Sequence, residues 1–186
     1  MKNNKTKNLI LCALFVALIA VGAFIKIPVP VVPFTLQFLF TMLAGLLLGG
    51  KWGCVSVCVY IAMGLLGLPV FTEGGGFGYV LKPSFGYIIG FAVAAYVTGV
   101  IANKVSKPSY KRLLSATFIG LAIVYIFGMV YYYIISNFFI GAPIGLWPLF
   151  LYCFILAVPG DILLCILGSV IAKRMIPLMK KNRVWF

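Results

Sequence analysis

Histidine is missing from this chain altogether, and aspartate and glutamate together number only 2 among 186 residues, Asp161 and Glu73. General acid–base catalysis and Ser-His nucleophilic chemistry draw on histidine and paired carboxylates, so an enzyme has almost no material here. A metal centre is short of ligands for the same reason. The five cysteines, at positions 12, 54, 58, 153 and 165, all lie inside apolar stretches, and none forms a Cys-x-x-Cys pair. Cys54 and Cys58 can share a helix face, but the set reads as five small buried hydrophobes and no metal is expected.

Apolar residues fill the space that polar chemistry leaves. They make up 64% of the chain, with a mean hydropathy of +1.18, outside the range of soluble globular proteins. The chain reads as an integral membrane protein, a single membrane domain over 1–186. Its 15 Lys and Arg are confined to short segments between apolar runs, which is the pattern of membrane topology rather than nucleic-acid binding. The first apolar run is followed by no small-residue cleavage signature, so it is expected to be retained as a span.

Six spans are predicted, at about 9–25, 35–48, 52–68, 84–102, 113–139 and 147–172. The second and third are short, which points to tilt, a thinned bilayer or a loop folded back into the bundle. Six crossings put both termini on one side, which also holds thirteen of the basic residues, against Lys26 and Lys82 on the other. The positive-inside rule then makes the termini cytoplasmic. Three connections face outward: 26–34 with its three prolines, the Gly- and Pro-rich break 69–83, and 140–146. An irregular segment at membrane depth must be buried in protein or line a cavity, because lipid offers its peptide groups no partner. Together the three loops are expected to form a lid over a small-molecule pocket.

Asp161 is the sharpest candidate in that pocket, since no other charge lies within ten residues of it. A carboxylate at membrane depth costs roughly 2.5–3.5 kcal/mol, so it should face the bundle interior and have a partner. Pro159 is expected to kink the same span beside it. Lys82, in the central break, and Lys26, at a helix end, are the cations on the outer side able to hold an anionic group. Gln37 offers a donor and an acceptor at the head of span two. Glu73 reads as solvated. Phe34, Phe71, Phe77, Tyr79, Phe85 and Tyr87 are placed to cover an apolar ligand body or to form an interfacial belt. Ala13 and Ala17, four apart on the first span, let another helix approach, and Gly45 and Gly49 give a second such face.

Two local patterns mislead. Gly45-Leu-Leu-Leu-Gly-Gly-Lys51 imitates a phosphate-binding loop, but Trp52 replaces the required Ser or Thr and the segment ends a membrane span. Pro-Gly-Asp161 is similar to the Gly-Asp of intramembrane aspartyl proteases, which need a second aspartate that this chain lacks.

In combination, Pro-Val-Val-Pro-Phe-Thr-Leu-Gln37, Gly67-Leu-Pro-Val-Phe71, Gly74-Gly-Gly, Lys82-Pro-Ser-Phe-Gly-Tyr-Ile-Ile-Gly-Phe91 and Pro159-Gly-Asp161 resemble the BioY family, the substrate-binding S components of biotin ECF (energy-coupling factor) transporters. The resemblance covers nearly the whole chain. It implies an all-α, six-helix S-component fold with no cofactor, biotin captured near the outer surface, and partnership with a membrane T component and two ATP-binding cassette ATPases. Toppling of the module in the bilayer would release biotin inside. Ala13 and Ala17 match the family's docking motif for the T component. Asp161 matches the family aspartate, and Phe34, Thr35, Gln37, Gly75 and Tyr87 fall in the matching motifs as substrate contacts. Members often carry a lysine where this chain has Leu164, and many have Gly where it has Lys82. The expectation is that Lys82 takes over the biotin carboxylate. An S component for another vitamin, or a non-transporting membrane interaction protein, stays open as an alternative.

Overall fold

The structure is a computed structural model and describes residues 2–27 and 34–181. The prolines of the first outward loop, at 28, 30 and 33, lie outside the described residues, as does the tail beyond Lys181. Helix α1 runs Lys2–Phe24 and continues through the polar lead, which holds neither proline nor glycine to stop it. Strands β1 (Lys26–Ile27) and β2 (Phe34–Thr35) pair antiparallel and return the chain to α2 (Gln37–Leu65). A 3-10 turn at Phe77–Leu81 leads to α3 (Phe85–Asn103) and α4 (Tyr110–Phe138). The chain closes with α5 (Leu146–Phe150), a π-type turn at Leu151–Ile155 and α6 (Val158–Lys181).

Five segments of the described residues are long and apolar enough to cross a membrane: Lys5–Phe24, Gln37–Leu65, Phe85–Asn103, Tyr110–Phe138 and Leu146–Met179. The sequence reading has six, and the difference lies in α2, which contains both short predicted spans. No loop separates them. Gly49 alone departs from helical geometry, with φ 84 and ψ 166, a left-handed conformation that residues with a Cβ avoid. Around it the chain doubles back. A Cβ built on Gly53 would fall 2.7 Å from the Cα of Gly45, whereas eight residues of straight helix span ~12 Å. Gln37 and Tyr60, which a straight helix would hold ~34 Å apart, lie beside each other.

Small residues let the reversal pack. A Cβ on Gly45 would strike the carbonyl of Ala95, and one on Gly99 would strike the backbone of Gly50 and Gly45. The α2–α3 contact is therefore backbone against backbone, a packing mode that suits helices surrounded by lipid. Asn103 secures the same end by donating to the carbonyls of Gly99 at 2.9 Å and Leu46 at 3.4 Å. The Gly45 and Gly49 face read from the sequence thus has two distinct roles, a close approach to α3 and a chain reversal.

The glycine-rich break between α2 and α3 folds as a packed plug. Phe71 is fully buried and meets the rings of Tyr60, Tyr79 and Phe85, with centroids 5.4, 4.5 and 6.5 Å away. Gly64 leaves room for that ring, and Gly74 and Gly76 have φ of 113 and 100. Tyr60 donates to the Val70 carbonyl at 2.9 Å, Tyr131 to the Val80 carbonyl at 2.5 Å, and the Gly76 amide to the Gly64 carbonyl at 2.7 Å. Phe77 alone of the expected lid aromatics is strongly exposed.

Replacing Gly49 with Ala should lower stability by about 1–2 kcal/mol, because the left-handed backbone then strains a Cβ. Gly78→Ala, at a site with open space and no positive φ, should leave it unchanged. Thermal unfolding of both variants in detergent checks the difference.

Candidate ligand-binding site

Asp161 owes its position to the way the last segment starts. The π-type turn ends with the Leu156 amide on the Leu151 carbonyl and the Ala157 amide on Phe154, after which α6 begins at Val158. Pro159 therefore stands in the first turn of a new helix, where its missing N–H has no partner to lose. The kink expected at Pro159 is realised as a restart of the helix, and Asp161 lies in its first turn. A carboxylate there is favoured by the positive end of the helix dipole.

The side chain turns inward, and its Oδ2 accepts a 2.5 Å hydrogen bond from Tyr125 of α4. Among the described residues Lys82–Glu73 is the one ion pair, so no described cation neutralises Asp161. An ionised carboxylate accepts up to about four hydrogen bonds, which leaves capacity for a donor arriving from outside.

Asp161 opens onto a cavity between the helices that is continuous with an open mouth. Phe34, Thr35 and Gln37 line one side of it, Tyr87, Ile88 and Phe91 of α3 another. Tyr125 and Val124 of α4, with Cys153 and Ala157, close the rest, while Thr72, Glu73, Tyr79 and Ser84 stand in the plug above. Glycines admit the rings: a Cβ on Gly160 would meet Phe34 at 2.6 Å, and one on Gly128 would clash with Tyr87. Tyr87 and Tyr125 meet edge to face at 6.2 Å, and the Tyr87 hydroxyl points to the Cys153 carbonyl at 3.5 Å.

Gln37 is the second polar feature of this cavity. Its side chain is 3% exposed and lies against Tyr60, yet Nε2 falls outside hydrogen-bonding geometry. An unmet buried donor costs about 1–3 kcal/mol, and a native structure keeps such groups where they have a task. The cavity thus presents an acceptor, Asp161, and a donor, Gln37, between largely apolar walls.

Five of the seven predicted substrate contacts, Phe34, Thr35, Gln37, Tyr87 and Asp161, are brought together here. Lys82 is not among the lining residues. It stands at the rim, 2.6 Å from Glu73 Oε2 and 5.4 Å above the Tyr79 ring, with the two ion-paired side chains 42% and 46% exposed. Glu73, read from sequence as solvated, is thus half-exposed, paired and part of the cavity wall. Gly75 is turned away, its Cα packed where a side chain would strike the carbonyls of Leu68 and Gly64. Lys26 donates to the Thr72 carbonyl at 3.4 Å and so ties β1 to the plug. Leu164, where the resemblance places a lysine in many relatives, is buried in the core. Ala13 and Ala17 are both exposed on the outer face of α1. Sequence reasoning missed Tyr125, whose only signal was a hydroxyl in the middle of a long apolar helix.

The model of the BioY family matches residues 1–181. This chain belongs to the BioY family. A Lysinibacillus sphaericus protein named as a probable biotin transporter BioY is 45% identical over 183 residues, 98% of this chain and 93% of that protein. The Thermotoga maritima biotin transporter BioY is 42% identical over 124 residues, 66% of this chain and 72% of its own length. A crystal structure described as the S component for biotin from an ECF-type ABC transporter superposes with a TM-score of 0.81 at 32% identity, covering 94% of this chain and 93% of that one. The BioY-family chain therefore shares an S-component fold, and the relatives are named as transporters rather than enzymes.

Because Gln37 Nε2 has no hydrogen-bond partner among the described residues, Gln37→Met should not lower the melting temperature of the ligand-free protein. A fall of several degrees would assign Gln37 a structural duty instead.

Proposed function

We propose that this chain is the biotin-binding S component of an ECF-type importer. The single observation that supports it best is the pairing of Asp161, which among the described residues accepts from Tyr125 on one oxygen, with the Gln37 donor in an aromatic-walled cavity. Biotin's ureido ring has two N–H donors suited to a carboxylate and a carbonyl suited to an amide N–H. Its thiophane ring and valeryl chain match Phe34, Ile88, Phe91 and Val124. The relatives' names point to the same ligand.

In this reading the valeryl carboxylate points to the mouth, where Lys82 exchanges Glu73 for it. Gly75 contributes by letting the plug pack, and Thr35 and Tyr87 by shaping the wall. The halves of α2 on either side of Gly49 make two crossings, giving six in all, and the basic end lies in the cytoplasm. Ala13 and Ala17 dock a T component, and two ATPases supply the energy for release inward.

Purified protein should bind biotin, with thiamine and riboflavin failing to compete. Asp161→Asn should weaken binding at least tenfold, the equivalent of about 1.5–3 kcal/mol for a hydrogen bond to a charged group. Undiminished biotin affinity in that variant, or equal competition by another vitamin, sinks the assignment. Lys82→Ala should weaken binding up to about fivefold, as befits a partly exposed ion pair; equilibrium binding that does not change rejects its role at the carboxylate.

A further inference from the structure

The end of the bundle opposite the Asp161 cavity holds a second hollow. It lies between the α3–α4 connection and the last turns of α6, lined by Ser106, Lys107, Pro108, Lys173, Ile176 and Pro177. Lys173 spans it, donating from Nζ to the Pro108 carbonyl at 2.8 Å. Two prolines and an isoleucine make much of the wall apolar, while two lysines set its charge.

Among the described residues no carboxylate side chain neutralises that charge. Both acids stand at the other cavity, and Asp161 lies twelve residues, or ~18 Å of helix, from Lys173. That separation exceeds the ~10 Å screening length at 0.1 M salt. Meanwhile Lys104, Lys111, Arg112 and Arg174 crowd the same end of the sequence segments that form the hollow. The N-terminus of α4 at Tyr110 is offset by the C-terminal ends of α3 and α6 at the same end of the bundle, so the lysines supply the positive potential. Pro177 has no N–H to return to the Lys173 carbonyl, which leaves an acceptor beside the lysine.

We propose that this hollow binds the headgroup of an anionic phospholipid with a hydroxylated headgroup. Its phosphate sits between Lys107 and Lys173, a headgroup hydroxyl donates to the carbonyl freed by Pro177, and the glycerol backbone and first acyl carbons lie on Pro108 and Ile176. Basic pockets between membrane helices at a leaflet surface select such lipids. The placement of the hollow at a leaflet surface rests on the membrane topology given above, while biotin binding is measured separately and does not depend on it.

The test uses the full chain reconstituted in mixed phosphatidylglycerol and phosphatidylcholine bilayers, extracted gently and weighed by native mass spectrometry. Wild type should retain one phosphatidylglycerol in preference to phosphatidylcholine, and the Lys107→Gln, Lys173→Gln double variant should retain roughly tenfold less or lower. Lys51→Gln, an exposed cation outside the hollow, should retain the lipid as wild type does. Biotin binding reports that each variant is folded, and if the double variant loses it, Lys107→Gln alone makes the comparison. Equal retention by the Lys107 variants, or equal loss in Lys51→Gln, overturns the site. Displacement of the lipid by excess inorganic phosphate alone would make it a free-anion site. No preference over phosphatidylcholine would leave these lysines to an acidic protein partner.

Discussion

Hydrogen bonding within an apolar bundle governs this molecule, because the lipid around it offers polar groups nothing. In the plug, where the backbone leaves the helix, side chains from other elements meet several of its carbonyls. Tyr60 and Tyr131 hold the carbonyls of Val70 and Val80 in the plug, and Lys26 holds that of Thr72. The same rule applies to Asp161, whose carboxylate is tolerated inside because Tyr125 donates to it. Gln37 Nε2, Thr41 Oγ1 and Asn103 Oδ1 stand out against this background, and of the three residues Gln37 alone lines the cavity.

Close approach of backbones is the second requirement, and glycine meets it. At Gly45 and Gly99 the absence of a side chain lets α2 and α3 touch through main chain. At Gly64, Gly128 and Gly160 the same absence makes room for Phe71, Tyr87 and Phe34, so the glycines define where the aromatic wall of the cavity can stand. Packing and ligand shape are set by one device.

Much of this was legible in the residues themselves. Asp161 and Gln37 were conspicuous because a polar group in an apolar run has few reasons to be there, and both do line the cavity. Phe34, Thr35 and Tyr87 followed from motifs around them. Tyr125 was hidden because a tyrosine in a membrane helix fits a belt or a core as well as a site, and only the fold shows its hydroxyl meeting Asp161. Lys82 read as an open cation since its partner, Glu73, is joined to it by the shape of the plug rather than by sequence spacing. Gly49 fell in the gap between two predicted spans, but a one-residue reversal leaves almost no break in helical structure, so the two short spans merge into one element. Pro159 looked like a mid-helix kink because the π-type turn before it has no compositional signature.

The separation of charge has a mechanical meaning. With Asp161 and the Glu73–Lys82 pair at one cavity and Lys104, Lys107, Lys111, Arg112, Lys173 and Arg174 toward the opposite hollow, charge is spread unevenly along the bundle. A transmembrane potential, worth about 2.3 kcal/mol per elementary charge for each 100 mV crossed, pulls on such a distribution along the bundle axis. Tilting the subunit in the bilayer therefore changes its electrical energy as well as its contacts with lipid.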